Sequence, residues 1–156
     1  MRGALLTILK GRAYVGGKAR GTALVSRMPM NFTASFSSPV NLLPGRRSEI
    51  RDRHHDLFGK KIKDTVLVFP AAVGSTLTGM VLLDRMHKGV APCSLIVQRA
   101  DSLMVSGAVL AKVWFNKGVP VVEYGKDDLF EKICTGDRVE VDGDTGEIKI
   151  WGGTDA

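Results

Sequence analysis

Two short apolar runs, each followed by a helix-like pattern, constrain this chain more than any other feature. Val66-Leu67-Val68-Phe69 is closed by Pro70, and Ser94-Leu95-Ile96-Val97 is a second such run. A strand with one wet face alternates polar and apolar residues, so runs without alternation predict strands buried on both faces. After the first run, residues 76–88 read as a helix, with Met80, Leu83 and Met86 at helical spacing and Gly89 as its stop. After the second, residues 102–115 read as another helix, and Val119-Pro120-Val121-Val122 as a third short strand. This alternation predicts parallel βαβ units.

The flanks read differently. Residues 18–26 form a strand entered through the Gly16-Gly17 turn, and residues 127–132 make one or two helical turns. Residues 137–150 alternate polar and apolar around Asp142-Gly143-Asp144-Thr145-Gly146, which predicts an antiparallel hairpin at the C-terminal end (136–150). Residues 28–48 carry three prolines and no charge before Arg46; they read as a long loop without periodicity, of the kind that is often functional. A charge-dense segment, 46–63, follows, so residues 28–63 stand apart from the strand–helix pattern. The expected fold is one compact α/β domain over residues 1–156, a mixed sheet flanked by helices.

Composition removes several function classes. Forty-four per cent of the 156 residues are apolar and 24% charged, which is a globular balance. The only cysteines are Cys93 and Cys134, and neither lies in a C-x-x-C pair. Zinc ribbons, thioredoxin-like chemistry and iron–sulfur ligation by this chain are therefore not expected; two buried or half-buried thiols in a reduced compartment are. The first ten residues hold a short apolar run but no small-residue cleavage site, and the stretch Val66–Val73 falls far short of a membrane span. A cytoplasmic protein without a membrane segment is the expectation.

The formal charge of +6 is unevenly spread: residues 1–63 hold 13 Lys and Arg against 3 Asp and Glu, and residues 64–156 hold 9 against 13. The run Arg46, Arg47, Arg51, Arg53, Lys60, Lys61 and Lys63 lacks interleaved aromatics and is broken by Glu49, Asp52 and Asp56, which argues against nucleic acid as partner. His54 and His55, between Asp52 and Asp56, have no second ligand cluster to chelate with, so a solvated segment or subunit contact is expected there. His87, at a helix end that favours a cation, reads as structural.

The sharpest local feature is Phe69-Pro70-Ala71-Ala72-Val73-Gly74-Ser75-Thr76, a buried strand opening through small residues into a helix. Free N–H groups and the dipole at such a helix start favour negative charge, so a hydroxyl there can meet an anionic ligand or be stabilised as an alkoxide. Equally, Ser75 or Thr76 can simply N-cap the helix. Neither a P-loop nor a G-x-S-x-G elbow is present.

Two family resemblances follow. The stretch from Gly118-Val119-Pro120 to Thr135-Gly136-Asp137-Arg138-Val139 resembles the ending of the swivelling phosphohistidine domain of pyruvate-phosphate-dikinase-like enzymes. There the catalytic histidine follows a serine; here the pair is Ser106-Gly107, so phosphotransfer is not expected. The second resemblance spans nearly the whole chain. Gly17-Lys18-Ala19-Arg20-Gly21-Thr22-Ala23-Leu24-Val25-Ser26, Glu49-Ile50-Arg51-Asp52 with His55-Asp56-Leu57-Phe58-Gly59, Val66–Pro70 with Gly74-Ser75-Thr76, and Gly89-Val90-Ala91-Pro92 resemble ordered motifs of the aconitase X small subunit, or swivel domain.

That resemblance implies the aconitase-type swivel fold, with a barrel-like core, and a hydro-lyase removing water from a small hydroxy acid. It implies a heterodimer or larger complex in which a large subunit carries an iron–sulfur cluster, with Ser75 as the catalytic residue and Gly74 and Thr76 beside the substrate. A non-catalytic binding or regulatory module on the same fold is the alternative. Departures bear on the substrate. The family turn P-x-G-R-G-S-S-S-G-S has Val73 in place of its arginine and Leu77 in place of its third serine. The family's F-W-G-G stretch is replaced by residues 31–38. The resemblance thus leaves the hydroxy acid unnamed among cis-3-hydroxyproline, phosphorylated mevalonate and others. Arg46 and Arg47 are the candidates to replace the lost anion clamp. The basic first third is then expected to meet an acidic partner subunit and to draw in a carboxylate.

Overall fold

The computed structural model describes residues 4–153; the first and last three residues of the expected 1–156 domain lie outside it. Its strands are β1 (Leu5–Lys10), β2 (Arg12–Val15), β3 (Lys18–Val25), β4 (Val66–Phe69), β5 (Ser94–Val97), β6 (Val121–Glu123), β7 (Arg138–Asp142) and β8 (Glu147–Trp151). Its helices are α1 (Phe32–Phe36), α2 (Thr78–His87), α3 (Ser102–Phe115) and α4 (Leu129–Lys132), with a 3-10 turn at Pro39–Leu42. All eight strands form one mixed sheet in the order β1-β8-β7-β3-β4-β5-β6-β2. The central four, β3-β4-β5-β6, are parallel. Antiparallel strands extend both sides: β7, β8 and β1 beyond β3, and β2 beyond β6. β1 and β2 end the sheet on opposite sides, yet only Gly11 separates them in sequence, so the sheet must curl until its edges approach. The result is a barrel-like mixed sheet with helices against it, as expected.

β4 and β5 are buried along their whole length, and their side chains divide between two cores. Leu67, Phe69, Leu95, Val97 and Val121 face Leu82 and Met86 of α2, Met104, Ala108 and Ala111 of α3, and Phe32 of α1. Val66, Val68, Ile96 and Val122 face inward onto Leu9, Val139, Val141, Ile148 and Ile150 of the antiparallel strands, closed by Leu129 and Ile133. Each fully buried aliphatic or aromatic side chain contributes about 1.5–3 kcal/mol, which is why such runs tolerate no polar alternation.

Several expected boundaries shift. α2 begins at Thr78 rather than 76, and it buries Thr78, Leu82, Arg85 and Met86 while Met80 stays exposed. The last of the four parallel strands is 121–123, with Pro120 outside it. The long 28–48 loop holds α1, capped by Asn31 Oδ1 accepting from the Ala34 N–H at 3.0 Å, and the 3-10 turn, capped by Ser38. Elements of four or five residues are too short to print a period. β1 escapes notice because it buries only Leu9 fully.

α2 and α3 cross through two glycines. A side chain at Gly107 would strike the Gly79 carbonyl, and one at Gly79 would lie 2.5 Å from the Leu103 carbonyl oxygen. This close crossing leaves no room for a side chain at position 107. The segment 46–63 is held by Glu49, 7% exposed, which accepts from Arg46 Nε and Nη2 at 2.8 Å and from Arg51 Nη1 at 2.6 Å. The Arg46 hydrogen bonds, aided by Arg51, lower the Glu49 carboxyl from 4.5 to about 2 against the opposing pull of burial.

Gly107→Ala is expected to lower stability by about 1–3 kcal/mol, read from the denaturant midpoint, because backbone must move to admit the methyl. Glu49, ionised more readily in the fold than in the unfolded chain, stabilises fully above pH 4.5 and loses that contribution as pH falls through about 2. Glu49→Gln is expected to flatten the stability profile within that window in acid titrations followed by circular dichroism.

Candidate functional site

The carboxyl ends of β4, β5 and β6 open on one side, the position where parallel α/β sheets commonly place ligands. The 70–77 turn leaving β4 is pinned to the residues before α1: Met30 N–H donates to Ala71 O at 2.9 Å, and Val73 N–H to Met30 O at 3.0 Å. Gly74 takes φ +94°, and a side chain there would collide with the Asn31 amide, so the turn needs glycine on both counts. Ser75 follows, half-buried. Its hydroxyl accepts from the Leu77 N–H at 3.0 Å, while its carbonyl accepts from the Thr78 N–H at 3.3 Å and from Thr78 Oγ1 at 2.9 Å. Neither Ser75 nor Thr76 is therefore the N-cap; Leu77 occupies that position without a side-chain bond, and Ser75 ties down the turn from two residues upstream. Thr76 is exposed.

A cavity of about 210 Å³ lies between this turn and the start of α3, lined by Ala72, Val73, Gly74, Ser75, Thr78, Asp101, Ser102 and Leu103. The second wall is built like the first. Asp101 caps α3 by accepting from the Met104 N–H at 2.9 Å, and Glu123, at the end of β6, accepts from the Ala100 N–H at 2.8 Å. Arg99 N–H donates to Pro70 O at 3.0 Å, which locks the two loops together. Two helix N-termini thus border one cavity; that of α3 already holds the Asp101 carboxylate, whereas that of α2 has no side-chain cap, and its partial positive charge favours an anionic group. Among the described residues, no Lys, Arg or His side chain lines the cavity. Sequence reasoning found Gly74 and Ser75 and missed Thr78, Asp101 and Ser102, although Asp101-Ser102 repeats the strand–turn–helix order of the first wall.

The structure does not bring Arg46 and Arg47 to this cavity. Arg46 is committed to Glu49. Arg47 lines a separate cavity with Pro44, Gly45, Ser48, Lys61, Lys63 and Val90, and its carbonyl accepts from the buried Arg85 at 2.8 Å, in the last turn of α2. The two histidines differ: His54 is exposed and His55 is 4% exposed, not solvated as expected. The Leu57 N–H donates to His55 Nδ1 at 3.2 Å, which assigns the ring proton to Nε2, 3.3 Å from Ser26 Oγ. Ser26 in turn donates to Asp56 Oδ1 at 2.7 Å and accepts from the Met28 N–H at 3.0 Å. The Gly17–Ser26 and Glu49–Gly59 motifs thus meet through these side chains as a polar staple. His87 ends α2 and packs on Phe115, ring centroids 4.2 Å apart. Cys93 is half-buried, its thiol pushed up by desolvation, whereas Cys134 is exposed, against expectation.

Ser26→Ala would leave the buried His55 ring N–H without its partner and remove the acceptor of the part-buried Met28 N–H. We expect a loss of about 1–3 kcal/mol in chemical denaturation.

The family model of the aconitase X swivel domain matches residues 8–150. Phosphomevalonate dehydratase small subunits resemble the chain over most of their length. That of Thermococcus sibiricus is 37% identical over 91% of this chain and 97% of its own. That of Methanocella arvoryzae is 35% identical over 91% and 98%. The cis-3-hydroxy-L-proline dehydratase of Hypocrea jecorina is 32% identical over 87% of this chain, which spans 22% of that longer protein. Among solved structures, Thermococcus kodakaraensis aconitase X superposes with a TM-score of 0.78 at 34% identity, covering 94% of this chain and 99% of that one. The 3-isopropylmalate dehydratase of Methanocaldococcus jannaschii shares the fold, with a TM-score of 0.58 at 19% identity, over 86% of this chain and 81% of that one. The chain belongs to the aconitase X swivel-domain family and is a dehydratase small subunit.

Proposed function

We propose that this subunit contributes Ser75 to a dehydration site completed by a large partner subunit, acting on a small hydroxy acid. The observation that carries the reading is the position of Ser75 in a cavity bordered by two helix N-termini at the carboxyl ends of the parallel strands. Removing water from a hydroxy acid requires a group to take a proton from carbon next to the carboxylate. A serine hydroxyl does this only when its alkoxide is stabilised, and the Leu77 N–H at 3.0 Å together with the uncapped start of α2 favours that charge. The uncapped α2 start favours the substrate carboxylate as well, and among the described residues no cationic side chain lines the cavity. Gly74 leaves room beside Ser75, and Thr78 holds the turn through the Ser75 carbonyl.

An iron–sulfur cluster does not fit the described residues of this chain. No group of three or more His, Cys, Asp or Glu converges among them, and Cys93 and Cys134 are two thiols in unrelated segments. In this reading the cluster belongs to the large subunit. The rim of the cavity supports such a partner: Val73, Leu77 and Leu103 are 45%, 54% and 43% exposed, with Met80 beside them at 60%. Apolar side chains gathered about a polar opening are the usual mark of a surface that another protein covers.

The complex of this chain with its large partner is to be assayed for dehydration of phosphomevalonate and of cis-3-hydroxy-L-proline, the compounds named for its relatives. Ser75→Ala is expected to lower kcat by roughly 10²–10⁴-fold while the subunits still associate. Full activity of the variant complex would remove Ser75 from the chemistry.

A further inference from the structure

The larger cavity, about 590 Å³, is not explained by the dehydratase reading. Three cationic side chains, Arg47, Lys61 and Lys63, line it, and among the described residues none of the three is in an ion pair. Two carboxylates of the flanking segments are already committed. Glu49 is held by Arg46 and Arg51, and Asp84 by Arg85 and Lys88. Among the described residues, no ion pair neutralises the three cations that line the cavity.

The frame beneath these side chains is rigid and buried. The Ile62 N–H donates to Ser48 O at 3.0 Å, Glu49 and Lys61 form an antiparallel bridge, and the Ile50 N–H donates to Lys60 O at 2.9 Å. Asn41 Nδ2 donates to Arg46 O at 3.1 Å and to Glu49 O at 2.8 Å, and Arg85 holds the Arg47 carbonyl. Asn41, Ser48, Ile50, Ile62 and Arg85 are each 6% exposed or less. Cations on disordered stems would drift apart and be screened; here ordered, hydrogen-bonded backbone carries them around one concavity, with the 4%-exposed Ser48 in its wall.

Its place in the fold separates it from Ser75. Arg85 sits in the last turn of α2 and Val90 just beyond, whereas Ser75 precedes the first turn. A ten-residue helix spans about 15 Å, too far for one small hydroxy acid to touch both ends. We infer that the Arg47–Lys61–Lys63 cavity is a second binding site, for a small polyanion whose oxygens are clustered as in a phosphate group or a polycarboxylate. Arginine supplies a planar fork and the two lysines mobile point charges, a combination suited to tetrahedral or paired anionic oxygens.

The test is a titration of the full chain, followed by amide NMR shifts, with inorganic phosphate in one arm and citrate in the other. Saturable shifts confined to residues 44–48, 61–63 and 90 are expected, with the tighter arm naming the anion type. The double variant Lys61→Ala/Lys63→Ala changes only exposed side chains. It is expected to weaken binding by about tenfold or more, because each charge-assisted hydrogen bond contributes enough for that factor. Binding should also weaken as salt rises. Shifts that centre on the Ser75 turn, or an unchanged affinity in the double variant, would overturn the site. So would loss of all phosphate and citrate binding once the large partner is added, since the cavity would then be a seat for acidic side chains of that partner. A marked preference of the chain for oligonucleotides over both small anions would equally overturn it.

Discussion

Two-sided burial of β4 and β5 is the constraint from which the rest of the molecule follows. A strand that is apolar on both faces needs a layer on each, and this chain supplies helices on one side and its own antiparallel strands on the other. The second layer exists only because the sheet curls: β1 and β2, joined through Gly11, occupy opposite ends of the strand order, and the Gly11 N–H bonds to Gly146 O at 2.8 Å. Val66 and Val68 thereby meet Ile148 and Ile150, residues some eighty positions away. The parallel order of the central strands then sets all their carboxyl ends on one side, and the turns leaving them become the walls of a cavity.

The helix layer determines how tightly those walls close. Gly79 and Gly107 let α2 and α3 cross at backbone contact, so the two helix starts stand side by side rather than a side chain apart. Ser75 and Asp101 are consequently brought to one cavity although nothing in their spacing relates them. Further polar anchoring comes from the Ser26–His55–Asp56 staple, in which a buried hydroxyl bonds a buried imidazole and an exposed carboxylate.

What could be read in advance was what repeats or clusters locally. The buried strands, the helix at 102–115 and the 137–150 hairpin appear close to their expected bounds, because apolar runs, helical spacing and a Gly/Asp turn are local signals. α1, the 3-10 turn, β1 and β2 were not legible: the first two are shorter than any period, and the other two lie at the sheet's ends, where few residues are buried. The α2 register also failed to show. Met80, Leu83 and Met86 share a helical spacing, yet the buried face runs through Leu82, Arg85 and Met86, since Arg85 turns inward to hold the Arg47 carbonyl.

By itself the sequence determined the strand–helix order, the glycine–serine turn, the want of a cysteine set for a cluster and the family to which the chain belongs. Those are properties of neighbouring residues and their types. Tertiary structure alone decided which distant residues share a wall. It put Asp101 and Ser102 opposite Ser75, took Arg46 and Arg47 away to the other end of α2, and buried His55 while leaving His54 in water. The physical reason is that charge, imidazole and hydroxyl groups carry no periodic signature. Their partners are set by how the sheet curls and how closely two helices cross.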